Sequence, residues 1–283
     1  MRPPIEHSGV FQYPRSTSLS RVNGESAWAR GGARTMEGTA AVVTGGTKGT
    51  GLGMAQALAR RGASVAVTYL ADRASAKGAR ERLEPLLAPG QRVLLLQGDV
   101  GDPRVVSSHY GIVREELGPV SVLVNNAGVM PRRSFGDIGF EQWDETLRTN
   151  LSGAFYWSSC VVPDMEAMGS GRIVNISSIA GRGGGVVGAH YAASKAGLLG
   201  FTKYLARELG PKGITVNAIA PAYIEDAGIF RSWNQQQKAA LREKVVVPRL
   251  GLVEDVVRAL EFFLDSPFVT GITLDVNGGA FMP

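Results

Sequence analysis

A tyrosine and a lysine four positions apart, Tyr191 and Lys195, form the pair with the clearest chemical potential in this sequence. If the segment is helical, residues i and i+4 lie on one face, one turn apart. An ammonium group held that close favours the ionised phenol, so the phenolic proton becomes easier to transfer near neutral pH. Taken alone, such a pair also fits an ordinary amphipathic helix, so its meaning depends on the elements that position it.

The overall composition is typical of a globular protein. Of the 283 residues, 44% are hydrophobic and 19% are charged, which suffices for a sizeable core. No run approaches 18 apolar residues, so we predict neither a membrane-spanning helix nor a membrane partner. The net charge is +5, and five arginines and two glutamates among residues 1–36 contribute +3 of it. The basic balance therefore does not indicate nucleic-acid binding.

A single cysteine and three scattered histidines limit two further kinds of chemistry. Cys160 cannot form an internal disulfide, and we expect a buried structural thiol in a reducing compartment, which predicts a cytoplasmic location. His7, His109 and His190 lack the spacing of a histidine metal motif, so no metal site of the His/Cys type is predicted.

Residues 1–36 differ from the rest of the chain. They carry proline, serine, glycine and arginine without a sustained apolar period, and we interpret them as a flexible extension. A transit peptide is one open alternative. A start codon assigned too far upstream is another, because Met36 directly precedes the first predicted strand. Residues 37–283 contain no internal linker and are predicted to form one domain.

From Thr39 onward, short apolar strands alternate with helical segments. The predicted strands are 40–44, 64–69, 92–97, 120–125, 172–177, 214–220 and 273–276. The predicted helices are 54–61, 74–87, 102–117, 140–169 with a bend near Pro163, 190–209, part of 222–252, and 254–264. This alternation predicts an α/β fold, a doubly wound seven-stranded parallel sheet with helices on both faces. Ligands of such sheets bind beyond the carboxyl ends of the strands.

A glycine-rich loop at 44–51 joins the first strand to the first helix. Gly45, Gly49 and Gly51 have no Cβ, so the backbone can turn tightly and approach a pyrophosphate. The helix N-terminus then offers free N–H groups to the anion. A plain tight turn is the structural alternative, but the position between strand and helix favours dinucleotide binding.

The spacing Gly-x-x-x-Gly-x-Gly after Thr44 resembles the short-chain dehydrogenase/reductase family. Further landmarks of that family follow in order, and they are Asn125-Asn126-Ala127-Gly128, Asn150, Ser178 thirteen residues before Tyr191, Tyr191-x-x-x-Lys195, and Pro221. The resemblance covers about 39–280. It implies a Rossmann-type NAD(P)-binding catalytic domain over 37–283 and an oxidoreductase acting on a carbonyl or secondary alcohol.

The resemblance also implies a role for each of four residues. Tyr191 would donate the proton, and Lys195 would lower its pKa and hold the nicotinamide ribose. Ser178 would hydrogen-bond the carbonyl oxygen, and Asn150 would keep a water in the proton relay. A turn serine and a helix-interior asparagine are the structural alternatives for these last two, and Ser177 is a neighbouring competitor for Ser178.

The predicted dinucleotide contacts combine the loop glycines with family positions. They are Gly45, Thr47, Lys48, Gly49, Gly51, Leu52, Tyr69, Asp99, Val100, Asn126, Ala127, Gly128, Tyr191, Lys195, Pro221 and Ile224. Because Tyr69 rather than an acid ends the second strand, and Lys48 can reach a phosphate, we predict NADPH over NADH. Arg73 is a further candidate for this phosphate, and Asp99 could equally cap the following helix.

Two regions depart from the family pattern or are less informative. Ala222 stands where a glycine is common, and Asp226 where a threonine touches the carboxamide; Asp226 either faces the site or turns outward. Phe230 and Trp233 form either a lid or core packing. The glycine-rich stretch 181–189 predicts a mobile, uncharged substrate wall.

The C-terminal portion carries the motifs Arg249-Leu250-Gly251, Phe268-Val269-Thr270-Gly271 and Val276-Asn277-Gly278-Gly279. It resembles the 3-oxoacyl-carrier-protein reductase branch, whose members commonly present basic residues to the acidic carrier protein. Lys212 is a candidate for carrier-protein contact, but the end of the long helix at 165–169 offers no basic residue before Arg172, so a free small ketone or alcohol is at least an equal expectation. A homotetramer or homodimer is implied, with Ala154, Phe155 and Ala196 as candidate surface residues. An NAD-dependent alcohol or sugar dehydrogenase and a non-catalytic dinucleotide-binding protein stay open as alternatives.

Overall fold

The computed structural model describes residues 36–225, 227–228 and 234–282. Seven strands lie in this part of the chain: β1 Ala40–Val43, β2 Ser64–Tyr69, β3 Val93–Gln97, β4 Val120–Asn125, β5 Gly171–Ile176, β6 Ile214–Pro221 and β7 Thr273–Val276. The α-helices are α1 Gly49–Arg60, α2 Arg73–Leu83, α3 Pro103–Leu117, α4 Phe140–Leu147, α5 Gly153–Met168, α6 Ala180–Gly183, α7 Ala189–Leu209, α8 Gln235–Arg242 and α9 Val253–Asp265.

All seven strands are parallel, in the order β3-β2-β1-β4-β5-β6-β7. The predicted doubly wound sheet is therefore confirmed. The order reverses beside β1, which pairs with β2 on one edge and with β4 on the other. Such a reversal separates the two crossover connections and leaves a crevice at the carboxyl end of the strands. The loops that follow β1 and β4 border this crevice.

Both faces of the sheet are covered by helices, which is why its strands are apolar along their whole length. One core cluster packs α1 and α9 against the sheet, with Met54, Leu58 and Phe263 fully buried. The other lies between the sheet and α3 and α5, with Trp157 and Met165 at its centre. No helix in the described residues is long and apolar enough to span a membrane.

The long helical stretch differs from its prediction in where it is interrupted. α5 continues through Pro163, and a π-helical segment at Arg148–Ser152 separates α4 from α5. Asn150 lies in that segment, and its side chain bonds the backbone of the loop after β4. Single π turns are often found at functional sites. The first helix also begins earlier than predicted, at Gly49 rather than at 54.

Several predicted features of the substrate region fall outside the described residues. Asp226, Phe230 and Trp233 are among them. Ala222 is buried, and Tyr223 adopts a left-handed backbone conformation with φ of 50°. A helix, α8, is present within the long connection after β6, as expected, and begins with a capping box at Asn234.

Candidate active site

The glycine loop after β1 has no room for side chains at its centre. A Cβ at Gly51 would lie 2.4 Å from the Gly45 carbonyl oxygen and 2.5 Å from the Asn126 amide nitrogen. Gly45 and Gly49 have φ of +62° and +54°, which only glycine adopts without strain. The loop is fixed to β2 because the Gly45 N–H donates to Thr68 Oγ1 at 3.1 Å.

The loop after β4 is joined to the glycine loop by paired hydrogen bonds. The Asn126 side-chain amide donates to the carbonyls of Thr44 at 2.9 Å and Gly45 at 3.1 Å. In return, the Thr44 hydroxyl accepts from the N–H groups of Asn126 and Ala127, both at 2.9 Å. The Thr50 hydroxyl closes the arrangement by donating to Asn126 Oδ1 at 3.1 Å. The two loops therefore form one rigid floor.

This floor fits the pyrophosphate of a dinucleotide. The 12-residue helix α1 starts at Gly49, and its N-cap residue, Lys48, makes no side-chain cap. The first N–H groups of α1 are thus open to an anion, next to backbone that a Cβ would obstruct. Thr47 and Leu52 are buried on either side of the turn. The residues present are those that would hold such a cofactor.

Tyr191, Ser178 and Lys195 come together at the carboxyl end of β5. Tyr191 and Lys195 lie on the inward face of α7, with the Lys195 Nζ atom 5.9 Å from the centroid of the Tyr191 ring. The Ser178 side chain lies next to the Tyr191 phenol, within reach of a hydrogen bond that would lower the pKa of the phenol. Gly181 allows this approach, because a Cβ there would lie 2.6 Å from the Lys195 carbonyl carbon. The neighbouring Ser177 instead donates to the Lys195 carbonyl at 2.8 Å and is buried.

The electrostatics of this group differ from the prediction. Burial raises the pKa of Tyr191, and the hydrogen bond from Ser178 lowers it in part. The predicted lowering by Lys195 is absent from this arrangement, because the Lys195 ammonium donates to the Ile176 carbonyl at 2.8 Å. Burial lowers the pKa of Lys195 to about 8. An ammonium group whose pKa lies near neutral pH can release a proton at little cost in free energy, which suits a proton relay.

Asn150 lies beside the lysine, and both hydrogens of its side-chain amide are bonded within the protein. Its Oδ1 accepts from the Val129 N–H at 2.7 Å, and its Nδ2 donates to the Val129 carbonyl and to Ser194 Oγ, both at 3.0 Å. A Cβ at Gly128 would lie 3.1 Å from Asn150 Oδ1 and 3.5 Å from the Lys195 Nζ. The predicted four residues are therefore neighbours, although the Asn150 side chain itself has no free donor.

The remaining predicted contacts surround the crevice. Asp99 accepts from the Gly101 N–H and pairs with Arg148 at 2.9 Å, while Asp102 caps α3, so the capping alternative for Asp99 is wrong. Val100 is buried beside the π segment. Pro221 ends β6 and accepts from the Ile179 N–H, and Ile224 is buried in a bridge with Gly251.

The region beyond β2 contains an ion pair that the sequence reading did not anticipate. Lys48 Nζ lies 3.1 Å from a carboxylate oxygen of Asp72, the N-cap of α2. Hydrogen bonds from Ser75 and Lys48 lower the pKa of Asp72 to about 2, so this carboxylate is ionised. Tyr69 is half-buried at the end of β2, and Arg73 donates to the Gln97 side chain at 3.3 Å.

Sequence reasoning also missed Thr44 and Ser194, which contact predicted site residues. Thr44 was recognised only as the start of the glycine pattern, and its hydroxyl holds the loop after β4. Ser194 lies in the signature beside Lys195, where its helical spacing from Tyr191 was an available signal. The wall at 181–189 was expected to be uncharged, but Arg182 pairs there with Asp275 at 3.1 Å.

A dinucleotide floor at the topological switch point, with a tyrosine, a serine and a lysine beside it, defines a nicotinamide-dependent oxidoreductase. Comparison with known proteins agrees. The model of the short chain dehydrogenase family matches residues 39–238. The chain belongs to the short-chain dehydrogenase/reductase family and is an oxidoreductase that acts with NAD(P).

The relatives are similar over nearly their whole length. The 3-oxoacyl-[acyl-carrier-protein] reductase FabG of Escherichia coli K12 is 39% identical over 248 residues, which cover 87% of this chain and 98% of the relative. Nodulation protein G of Azospirillum brasilense is 38% identical, covering 84% and 96%. A solved Sinorhizobium meliloti 1021 structure, described as a short-chain alcohol dehydrogenase, is 34% identical with a TM-score of 0.78, covering 87% and 97%.

Proposed function

We propose that this protein reduces a ketone to a secondary alcohol with NADPH, and that Tyr191 is the proton donor. The observation that carries the proposal is the placement of the Ser178 hydroxyl next to the Tyr191 phenol, beside the buried Lys195. A carbonyl oxygen at this point would face two hydroxyl groups, as stabilisation of a developing alkoxide requires. The domain that performs this chemistry is assigned to residues 37–283.

The reduction needs three contributions, of which this chain supplies two. The bound dinucleotide supplies the hydride for the carbonyl carbon. Ser178 donates a hydrogen bond to the carbonyl oxygen and orients it. Tyr191 transfers its phenolic proton to that oxygen as negative charge develops, and Lys195 passes a proton back to the tyrosine. Because the pKa of Lys195 is about 8, it can give up and regain that proton near neutral pH.

Substitution of Tyr191 by phenylalanine tests the acid role directly. Tyr191→Phe removes the proton donor and keeps the ring, so we expect nearly complete loss of ketone reduction with little change in dinucleotide affinity. Tyr204→Phe is the matched control, since this tyrosine lies on the same helix and is 67% exposed. Turnover of a ketone panel with NADPH and NADH is the measurement. Retained turnover in Tyr191→Phe would remove this residue from the acid role.

The preference for NADPH rests on Lys48 and on the absence of an acid at the end of β2. The Lys48–Asp72 pair weakens the argument from charge, because Lys48 must leave Asp72 to bind a 2′-phosphate. This pair is the one observation that favours the second candidate, an NAD-dependent alcohol or sugar dehydrogenase. A clear NADH preference in the panel would decide for that candidate.

We infer that the substrate is a free small ketone. The alternative is a ketone tied to a carrier protein, since the E. coli relative is named as a 3-oxoacyl-[acyl-carrier-protein] reductase. Lys212, the predicted contact for an acidic carrier, is paired with Glu166. Both side chains are exposed and the pair is therefore weak, so Glu166 reduces the attraction of Lys212 for an acidic carrier without removing it. Turnover of a small ketone at a rate equal to that of a carrier-bound one would support this inference. A non-catalytic dinucleotide-binding protein is favoured only if no ketone in the panel turns over.

We further infer a cytoplasmic homotetramer or homodimer. Cys160 is a free, half-buried thiol, which suits a reducing compartment. Of the candidate surface residues, Phe155 and Ala196 are exposed and Ala154 is buried. Phe155 contacts Phe201 edge to face, at 6.4 Å between ring centroids, and forms an apolar surface on α5 and α7. Light scattering on the purified chain would measure the assembly.

A further inference from the structure

Ser194 is a fully buried serine on the inward face of α7. It follows Tyr191 by three positions and precedes Lys195, so all three side chains lie on one side of the helix. Its exposure is 0%, and its hydroxyl has two partners within the protein. The hydroxyl donates to the Tyr191 carbonyl oxygen at 2.8 Å and accepts from the Asn150 amide at 3.0 Å. Ser194 therefore connects two predicted site residues without a free group of its own.

The other contacts of Asn150 extend this connection to the loop after β4. The Val129 N–H can only donate and the Val129 carbonyl can only accept, which fixes how the Asn150 amide is oriented. That orientation directs the second Nδ2 hydrogen to Ser194. A continuous path of hydrogen bonds thus runs from the Val129 backbone through Asn150 and Ser194 to the first turn of α7.

The path passes beside the Lys195 ammonium group. Gly128 precedes Val129, and a Cβ on it would touch both Asn150 Oδ1 at 3.1 Å and the Lys195 Nζ at 3.5 Å. A small movement of Asn150 would therefore change how the loop after β4 sits against Tyr191 and Lys195. Misplacement by about 1 Å can reduce catalysis roughly 100-fold.

We propose that Ser194 is a positioning residue, which acts through Asn150 to hold the loop at Gly128 and Val129 in register with Tyr191. The proposal rests on the proposed function, in which Tyr191 transfers the proton. Ser194 touches neither substrate nor cofactor in this role. Without its hydroxyl, a buried Asn150 donor loses its partner, and the asparagine is free to turn away from Val129.

The same helix offers a matched control. Thr202 is also 0% exposed, and its hydroxyl donates to the Leu198 carbonyl at 2.7 Å and accepts from the Asn175 amide at 2.9 Å. Its hydrogen bonds repeat those of Ser194, but Thr202 lies about 16 Å from Tyr191 along the helix axis. Thr202→Val therefore removes an equivalent buried hydroxyl away from the site.

The test compares Ser194→Ala with Thr202→Val in the complete chain. For Ser194→Ala we expect kcat to fall about 10- to 100-fold. KM and the dinucleotide dissociation constant should stay within about threefold of wild type. Hydrogen exchange of the 126–130 segment, measured without cofactor, should become faster. Thr202→Val should lose comparable thermal stability but keep kcat and the exchange of that segment.

A double-mutant cycle shows whether Ser194 acts through Asn150. In an Asn150→Ala background, Ser194→Ala should cause no further loss of kcat, since the path is already broken. An equal loss in both backgrounds, or a Ser194→Ala enzyme within twofold of wild type in kcat, would overturn the proposal. If Ser194→Ala does not fold, Ser194→Cys, a weaker hydrogen-bond donor, replaces it with the same criteria. An inactive Tyr191→Phe beside a fully active Ser194→Ala would refute the positioning role alone, whereas an active Tyr191→Phe would refute the proposed function.

Discussion

The Thr44 hydroxyl is the group whose removal we expect to disturb the cofactor floor most. Thr44 is 3% exposed, and its Oγ1 accepts from the N–H groups of Asn126 and Ala127 at 2.9 Å each. Thr44→Val has the same shape and cannot accept a hydrogen bond, so both N–H groups lose their partner. Each orphaned buried donor costs about 1–3 kcal/mol. Because these two are partly buried, we take about 1–2 kcal/mol each, which totals about 2–4 kcal/mol.

Thermal unfolding measures this loss. For a domain of this size, each kcal/mol lowers the midpoint by about 2–4 °C, so Thr44→Val should melt roughly 4–16 °C below wild type. Dinucleotide affinity should fall as well, because the loop after β4 is no longer held against the glycine loop. Thr44→Ser keeps the hydroxyl and is the control. A Thr44→Val midpoint within 1 °C of wild type, or a serine variant equally destabilised, would refute the reasoning.

Three further predictions concern charge and assembly. Asp72→Asn keeps the cap of α2 and frees Lys48, so NADPH should bind roughly two- to fivefold more tightly while the affinity for NADH stays unchanged. Titration with both dinucleotides measures these affinities, and an equal change for both would contradict the prediction. The pKa of Lys195 is about 8 when folded and 10.5 in its ordinary state, so between these values the unfolded chain binds more protons and stability rises with pH. Melting curves from pH 7 to 10.5 should therefore show this rise in wild type and its loss in Lys195→Met, while parallel curves would count against it. Phe155→Glu places a charge on the exposed aromatic surface, so the assembly should dissociate in light scattering; an unchanged mass would exclude this surface.

The strands of the parallel sheet and the position of the glycine loop were predictable because each rests on a local pattern. Apolar runs of four to eight residues gave the strands, and all seven agree with their predicted ranges to within a residue at each end. The loop at Gly45 could be interpreted because both its composition and its place between strand and helix are constrained. Family spacing predicted Ser178 rather than Ser177 as the site serine, and Ser178 lies next to the Tyr191 phenol whereas Ser177 donates to the Lys195 carbonyl.

The features that could not be predicted depend on contacts between distant segments. Asn150 interrupts its helix because its side chain bonds Val129, which is 21 residues away. Nothing in the local sequence marks that turn, whereas Pro163 is a visible but tolerated irregularity. The Lys48–Asp72 pair likewise joins two loops, those that follow β1 and β2 and lead into α1 and α2. The pKa of Tyr191 depends on its burial and on where the Lys195 ammonium points, and both follow from tertiary packing.

The strand order also constrains how this chain assembles during synthesis. β1 pairs with β2 soon after both emerge, but its other edge pairs with β4, where Ala40 faces Val120. That edge of β1 consequently stays open until the chain extends about 80 residues beyond Ala40. Pairing over such separations is slow, and an open apolar edge is a site for aggregation. β1, the interior strand that carries the cofactor loop, is therefore the segment most in need of protection while the nascent chain is incomplete.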